Sequence, residues 1–510
     1  MRTFLFGCAA SLVMASLTQA QIQKYWARYQ NGTGNSEDYG YGLAVDASGN
    51  SYVTGGATNA LGVTEIVLVK YNSAGQKKWV VTYPAPGGGP DYGNKVAIDP
   101  AGNVIVGGDS VGIGTDYDLT TLKYDPQGNL LWARNFNGTG NGYDGMGGGW
   151  SLVIGSAGEV FIGGFTYDAV NGYDSVILKY DASGTLLWTA IYDGGDHLTD
   201  YNYGLVLDAS GNVYAAAAST SIQNGRNILA LKYSGSNGAL LWEVGYNSPP
   251  TGSSDSVNAI DIDASANVYV VGFGPDVGTG DDMVTMKVDT DGVLQWVRRY
   301  DGPTSRDDRP WDVAVSPAGL VIVAGFSNNP WESSAATVAY DTNGNLVFAQ
   351  RFEASTGYYG DDAGFDVEFD AAGNIWVAGY GWNGPEHGGD AFLIEYAPNG
   401  MLLFQDVHDG TGHADETNFG VAIRGNDVYT GGYSQRGNRH VDTMVVRYSP
   451  PLNIMGAPGQ PRPANLGPLN LAAESEDASL PLSVEPRPYR PNPGTPGIPE
   501  RLLERRGSRR

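Results

Sequence analysis

Two sets of acidic residues recur along this chain in fixed phase. One is Asp38, Asp91, Asp144, Asp200, Asp255, Asp308, Asp362 and Glu416; the other is Glu65, Asp118, Asp174, Asp282, Asp390 and Asp442. Carboxylates placed this way can cap loops by accepting neighbouring backbone N–H groups. They can also form a ring of oxygens for Ca²⁺ or a cationic partner, or act as the acid and base of a polysaccharide-cleaving site. A position repeated in every copy of a repeat is a scaffold position first, because a single active site needs unequal copies. The local clusters Asp276 with Asp281 and Asp282, and Asp361 with Asp362, are the expected cation sites. Asp308, Asp361 and Asp362 are the candidates for acid–base work, chosen by position alone. No twelve-residue EF-hand loop is present.

The residues that break the repetition carry more functional information. Trp331 and Trp382 fall in corresponding loops of adjacent repeats, and Trp150 and Trp311 fall at the starts of strands. Tyr358 and Tyr359 add aromatic surface. Rings beside Asp, Asn and Gly can stack on sugars or anchor a protein partner; packed against each other, they only stiffen loops. His387, His408, His413 and His440 cluster late in the chain near Asp409, Asp415 and Glu416, without the spacing of a metal motif. Gly140–Gly145 matches G-x-G-x-x-G by letters but lies between strands with no helix after it, so a dinucleotide loop is excluded. There is no H-E-x-x-H sequence. No catalytic residue is assigned.

The elements that must position these residues follow from a repeat. Trp26, Trp79, Trp132, Trp188, Trp242, Trp296, Phe348 and Phe404 close successive copies, spaced 53, 53, 56, 54, 54, 52 and 56 residues apart. Each copy reads as four short strands: for the first, Gly42–Asp46, Tyr52–Gly56, Ile66–Tyr71 and Lys78–Tyr83, separated by the turns Asp46–Asn50 and Asn72–Gly75. Four antiparallel strands at a period near fifty describe a propeller blade. The last copy lacks a fourth strand before Pro450-Pro451, and an orphan fourth strand, Lys24–Tyr29, precedes the first copy. The prediction is an all-β, eight-bladed propeller closed by its N-terminal strand; seven blades plus a stray unit is the alternative. Each closing Trp or Phe is expected to fill space between neighbouring blades.

The segment Asp38–Gly56, D-Y-x-Y-G-L-A-V-D-A-S-G-N-x-Y-V-T-G-G, and the following V-L-V-K-Y-N-S-A-G-x-x-x-W resemble the SBBP β-propeller repeats of exported and surface bacterial proteins. The resemblance runs from Trp26 to about Tyr448 and implies fold and export. It implies no activity, since that family shares no catalytic residue. The sixth copy departs most, with Ala339 where most copies carry Lys and Ser316 in place of the turn Asp. Tyr180–Trp188 also resembles the docking turn of eight-bladed quinoprotein dehydrogenases, which add a calcium site and adjacent paired cysteines; the only cysteine of this chain is Cys8.

Three regions follow: a signal peptide at 1–20, with Arg2, the apolar run Phe4–Leu17 and Thr18-Gln19-Ala20 before the cleavage point; the propeller at 21–450; and a Pro-rich tail at 451–510, expected to lack a packed core. The net charge of −25 excludes nucleic acid and disfavours anionic lipid. Without Cys8 the mature chain has no thiolate chemistry, and no segment after the signal reaches transmembrane length. The expectation is an exported, monomeric, non-catalytic scaffold binding a protein or polysaccharide through an acidic, aromatic long-loop face. The alternatives are an exported polysaccharide hydrolase or lyase and a Ca²⁺-stabilised surface protein. No other cofactor is expected.

Overall fold

The computed structural model describes residues 22–146, 151–249, 254–355, 360–384, 387–410, 415–436 and 440–450. Among them, thirty-two strands form eight four-stranded antiparallel sheets. Seven sheets are continuous in sequence. The eighth joins the N-terminal strand Gln23–Gln30 to the last strand, His440–Ser449, from Gln23 opposite Ser449 to Gln30 opposite Thr443. The ring is therefore an eight-bladed propeller with the predicted clasp, and no stray unit remains.

Blade one sets the pattern. Its strands, from the axis outward, are Tyr39–Val45, Ser51–Thr58, Thr64–Tyr71 and Lys77–Tyr83. The second strand is buried along its whole length and the fourth alternates, because inner strands have a blade on each side and the outer strand faces water. The hydrophobic core lies between blades. Tyr214, Ile228, Val257, Val270 and Met286, for example, join blades four and five in one cluster.

The turns explain why the Asp-x-x-Gly-Asn sequence repeats. Asp46 accepts the N–H groups of Ser48 and Asn50 through one oxygen, and the Asn50 amide and Tyr52 hydroxyl through the other. Asp208 and Asp263 do the same. In blade six Ser316 keeps only the bond from the Leu320 N–H, at 3.0 Å. The small residue five positions after each turn has a definite cause. A Cβ at Gly55, Gly108, Gly272 or Gly432 would collide with a main-chain carbonyl of the innermost strand (Tyr39, Tyr92, Ser256 and Thr417 respectively). That carbonyl is pushed inward by a β-bulge, for example between Gly40 and Gly42.

The closing aromatics do pack between blades. The Trp188 indole lies on Gly238 of the next blade and donates to the Gly235 carbonyl at 3.2 Å. Trp26, Trp79, Trp132, Trp242 and Trp296 make the equivalent bond to the following blade. Trp26 reaches Ser73 of blade one from the clasp, so it belongs to the last blade and docks on the first.

Candidate functional site: the long-loop face and the channel mouth

Antiparallel order places the loops between second and third strands, and the links between blades, on one face. The recurring acids sit beneath these links. Asp38, Asp91, Asp144, Asp200, Asp255, Asp308, Asp362 and Glu416 are all buried. Asp38 accepts the N–H groups of Gly32 and Thr58; Asp144 accepts those of Gly138 and Tyr167 at 2.8 Å each. Asp200, Asp255 and Asp308 hold Gly194, Ser248 and Gly302 in the same way. Burial raises these carboxyls, Asp308 to about 6 and Asp362 and Glu416 to about 8.

Further in, seven of the eight innermost strands carry a bulged residue at the channel mouth; Leu152–Ile154 of blade three pairs without one. In blades six, seven, eight and one that residue is Trp311, Phe365, Phe419 and Tyr41. The four rings form a continuous arc, with centroids 5.5, 5.3 and 6.0 Å apart in that order. The Trp311 indole N–H is buried and has no hydrogen-bond partner. Below the arc, carboxylates bridge one innermost strand to the next. Asp261 accepts from the Val315 N–H, Asp312 from Val367, Asp366 from Val421 and Glu368 from Ile423, at 2.7, 3.1, 2.6 and 3.0 Å. Burial lifts Asp261 to about 6 and Glu368 to about 7, and burial with the adjacent Asp366 lifts Asp312 well above the carboxylate range. A cavity of about 260 Å³ lies between blades one, two, seven and eight, lined by Leu43, Lys95, Asp366, Glu368, Val421 and Arg424.

The residues singled out from sequence are spread over this face. Trp311 is in the mouth. Trp382 is half-buried against Gly360, and its own N–H donates to Asp362. Trp331 stands free at a loop tip. Trp150, Tyr358, Tyr359 and His413 lie outside the described residues, as do the signal segment and the tail. Of the cation clusters, Asp276 and Asp282 pair with Arg299, and Asp281 pairs with Arg309. Asp361 is exposed and accepts from the Ser333 hydroxyl, whereas Asp362 is a buried loop cap. Asp308 and Asp362 belong to successive junctions and hold different links, so the structure does not assemble the three acid–base candidates into one site. The histidines separate too. His408 is buried between the Lys24 ammonium (2.7 Å) and the Tyr29 hydroxyl (3.0 Å) of the clasp; His387 pairs with Asp409.

The family model for SBBP, the β-propeller repeat, matches residues 26–61. That segment carries one SBBP β-propeller repeat. No curated protein sequence matches it. Among solved structures, the quinohemoprotein alcohol dehydrogenase of Comamonas testosteroni is similar with a TM-score of 0.52 and 12% identity, over 84% of this chain and 76% of that one. Chaetomium thermophilum Sqt1 bound to the N-terminus of ribosomal protein L10 is similar with a TM-score of 0.50 and 11% identity, over 84% of this chain and 100% of that one. One of these folds serves an enzyme and the other a binding protein, and at such identity the likeness is one of fold.

The propeller also displays residues that reading the copies one at a time did not single out. Leu61, Ile113, Val170, Ile222, Val277 and Trp331 occupy the second-to-third-strand loop tips of blades one to six, each between 78% and 90% exposed. Their loops are held in place. Asn59, Asp168, Asp196, Asp276 and Asn329 accept the N–H groups of Leu61, Val170, Ile222, Val277 and Trp331 respectively. The signal is present in the sequence as one apolar residue, in phase, within each Gly- and Asn-rich loop. A second set is Asp193, Asp301 and Asp409, each five residues after a closing aromatic.

Proposed function

We propose that this SBBP-repeat propeller is an exported, non-catalytic scaffold that binds a protein partner through its long-loop face. The observation that carries the reading is the crown of six exposed apolar tips on one face, five of them fixed by side-chain caps. Aliphatic groups presented together on one face gain by burial against a partner, and a pre-held tip loses little entropy on docking. Five of the six tips are aliphatic. Sugar rings stack on aromatic faces, so the crown fits a protein surface better than a polysaccharide, with Trp331 as the anchor able to contribute about 2 kcal/mol or more. The acids of the same face are engaged in capping links, which favours binding over hydrolysis.

The test is chemical crosslinking on the cell surface with the purified propeller as bait. The comparison is a variant in which all six tips are Ser. The wild type is expected to capture a discrete protein that the variant does not, at equal melting temperature. A soluble polysaccharide bound equally by both, with no captured protein, would sink the reading.

A further inference from the structure

Three pairs of blades bring together three acids with the same spacing. They are Asp174, Asp193 and Asp200; Asp282, Asp301 and Asp308; and Asp390, Asp409 and Glu416, each set 108 residues after the one before. In each, one acid lies just inside the start of a third strand, one follows the closing strand, and one begins the next blade. One carboxylate oxygen from every member lies within 4.8 Å of the others.

The three junctions handle the accumulated charge differently. In the second, the chain supplies its own cation: Arg299, three residues after Trp296, reaches Asp282 at 3.1 Å and Asp276 at 3.3 Å. In the first, the residue at the same distance from Trp188 is Ile191. Among the described residues no Lys or Arg pairs with Asp174, Asp193 or Asp200. Asp174 is 4% exposed, and neither a hydrogen bond nor an ion pair reaches its carboxylate. Asp193 and Asp200 each leave one buried oxygen without a partner as well. Their other oxygens are fixed by the surroundings. Asp200 accepts the Gly194 N–H at 2.7 Å, and Asp193 contacts the Asn171 amide at 3.1 Å and the His197 ring at 2.6 Å. Each of the three acids thus keeps one buried oxygen without a hydrogen bond, and one carboxylate oxygen of each lies within 4.8 Å of the others.

We propose that Asp174, Asp193 and Asp200 form a Ca²⁺ site that ties blade three to blade four. An isolated buried carboxylate is costly, and three together are more so, unless a cation or protons compensate. Oxygens separated by less than 4.8 Å suit an ion with Ca–O distances of about 2.3–2.6 Å, water completing its flexible shell. The converging donors are hard oxygens only, which selects calcium over zinc or copper.

The test is calorimetric titration of Ca²⁺ into chelator-stripped full-length protein, beside thermal melting with and without the ion. The wild type is expected to bind Ca²⁺ and melt higher in its presence. Asp174→Asn should bind one equivalent fewer and lose part of the calcium-induced shift. In chelator the same variant should melt at or above the wild type, because it removes a buried uncompensated carboxyl; the lost response is then not a folding defect. Equal stoichiometry and an equal shift in both proteins, or no binding by the wild type at millimolar Ca²⁺, would overturn the site.

Discussion

Lys179 and Trp188 sit opposite each other on adjacent strands of blade three, and both donate to the carbonyl of Gly235 in blade four, at 2.9 and 3.2 Å. The pairing recurs. Lys70 with Trp79, Lys123 with Trp132, Lys232 with Trp242 and Lys287 with Trp296 each share one carbonyl of the following blade. In the clasped blade, Arg447 and Trp26 converge on Ser73. Blades six and seven lack both donors, having Ala339 opposite Phe348 and Glu395 opposite Phe404. The basic residue and the Trp are thus present or absent as a pair.

Sharing one acceptor predicts non-additive mutations. With either donor left, the Gly235 carbonyl stays satisfied, so Lys179→Met and Trp188→Phe should each cost about 1 kcal/mol. Removing both leaves a buried acceptor alone, and the double variant should lose roughly 1 kcal/mol more than the sum. A double-mutant cycle from urea unfolding measures this; strict additivity would show that the carbonyl is not shared.

The clasp gives a second prediction. Trp26 docks on the first blade, while Lys24 and Tyr29 enclose His408 of the seventh. Trp26→Ala should cost about 3–5 kcal/mol, the usual loss for a large buried aromatic. Deleting Gln23–Gln30 should cost more and expose the edge of His440–Ser449 to aggregation. Melting and light scattering of the truncated protein test this, and unchanged values would refute ring closure by this strand.

One turn is in the wrong conformation for its residue. Ala266 has φ of +61°, where corresponding turns carry glycine, as at Gly49 and Gly211. A left-handed Ala costs about 1–2 kcal/mol, partly offset by the greater unfolded-state freedom of glycine. Ala266→Gly should stabilise the protein by about 0.5–1 kcal/mol, read as a shift in the urea midpoint at constant slope.

Stability should fall as pH rises through the neutral range. Asp362 and Glu416 are raised to about 8, above their unfolded values, mainly by burial. The folded state therefore holds protons that the unfolded state has released, and that stability is lost as pH climbs through about 8. His408 acts in the opposite sense. Burial, then Lys24, lowers it to about 4, so its contribution is lost as pH falls from about 6.5 toward 4. Above about 6.5 the carboxyls act without that opposition. The melting temperature should decline from pH 6.5 to 8.5, and Asp362→Asn should flatten the slope; a flat wild-type profile would contradict this.

Much of the ring was legible before any coordinates. The orphan strand around Trp26, the missing partner after Tyr448 and the constant spacing of closing aromatics fix blade number and closure, because each blade must complete a four-stranded sheet. The capping role of the first-strand acids was legible for the same reason: Asp38 and its seven equivalents recur wherever a link must be held. The grouping of acids was not. Asp174 and Asp200 stand out as members of sets repeated in most blades, whereas the Asp193 position is acidic in fewer copies, and only the ring geometry carries it to the other two. The clusters that looked dense in sequence were misleading guides, since Asp276, Asp281 and Asp282 face Arg299 and Arg309. The crown was missed because Leu61 or Val170 alone is an ordinary apolar residue in a loop, and only the alignment of six blades makes it a surface.

The clasp also imposes an order of events. Gln23 emerges early and pairs with Ser449, roughly 420 residues later. At synthesis rates of about 5–20 residues per second, the first strand waits some 20–80 s for its sheet. Blades one to seven can form meanwhile, each from contiguous chain, but the ring stays open and the docking surface for Trp26 on Ser73 and Gly75 stays bare until the end. The last hydrogen bonds made are therefore between the oldest and the youngest parts of the polypeptide. A nascent or truncated chain that stops short of Tyr448 presents two unclosed rims at once, and the arrival of that final strand is the event that commits the chain to a single closed ring.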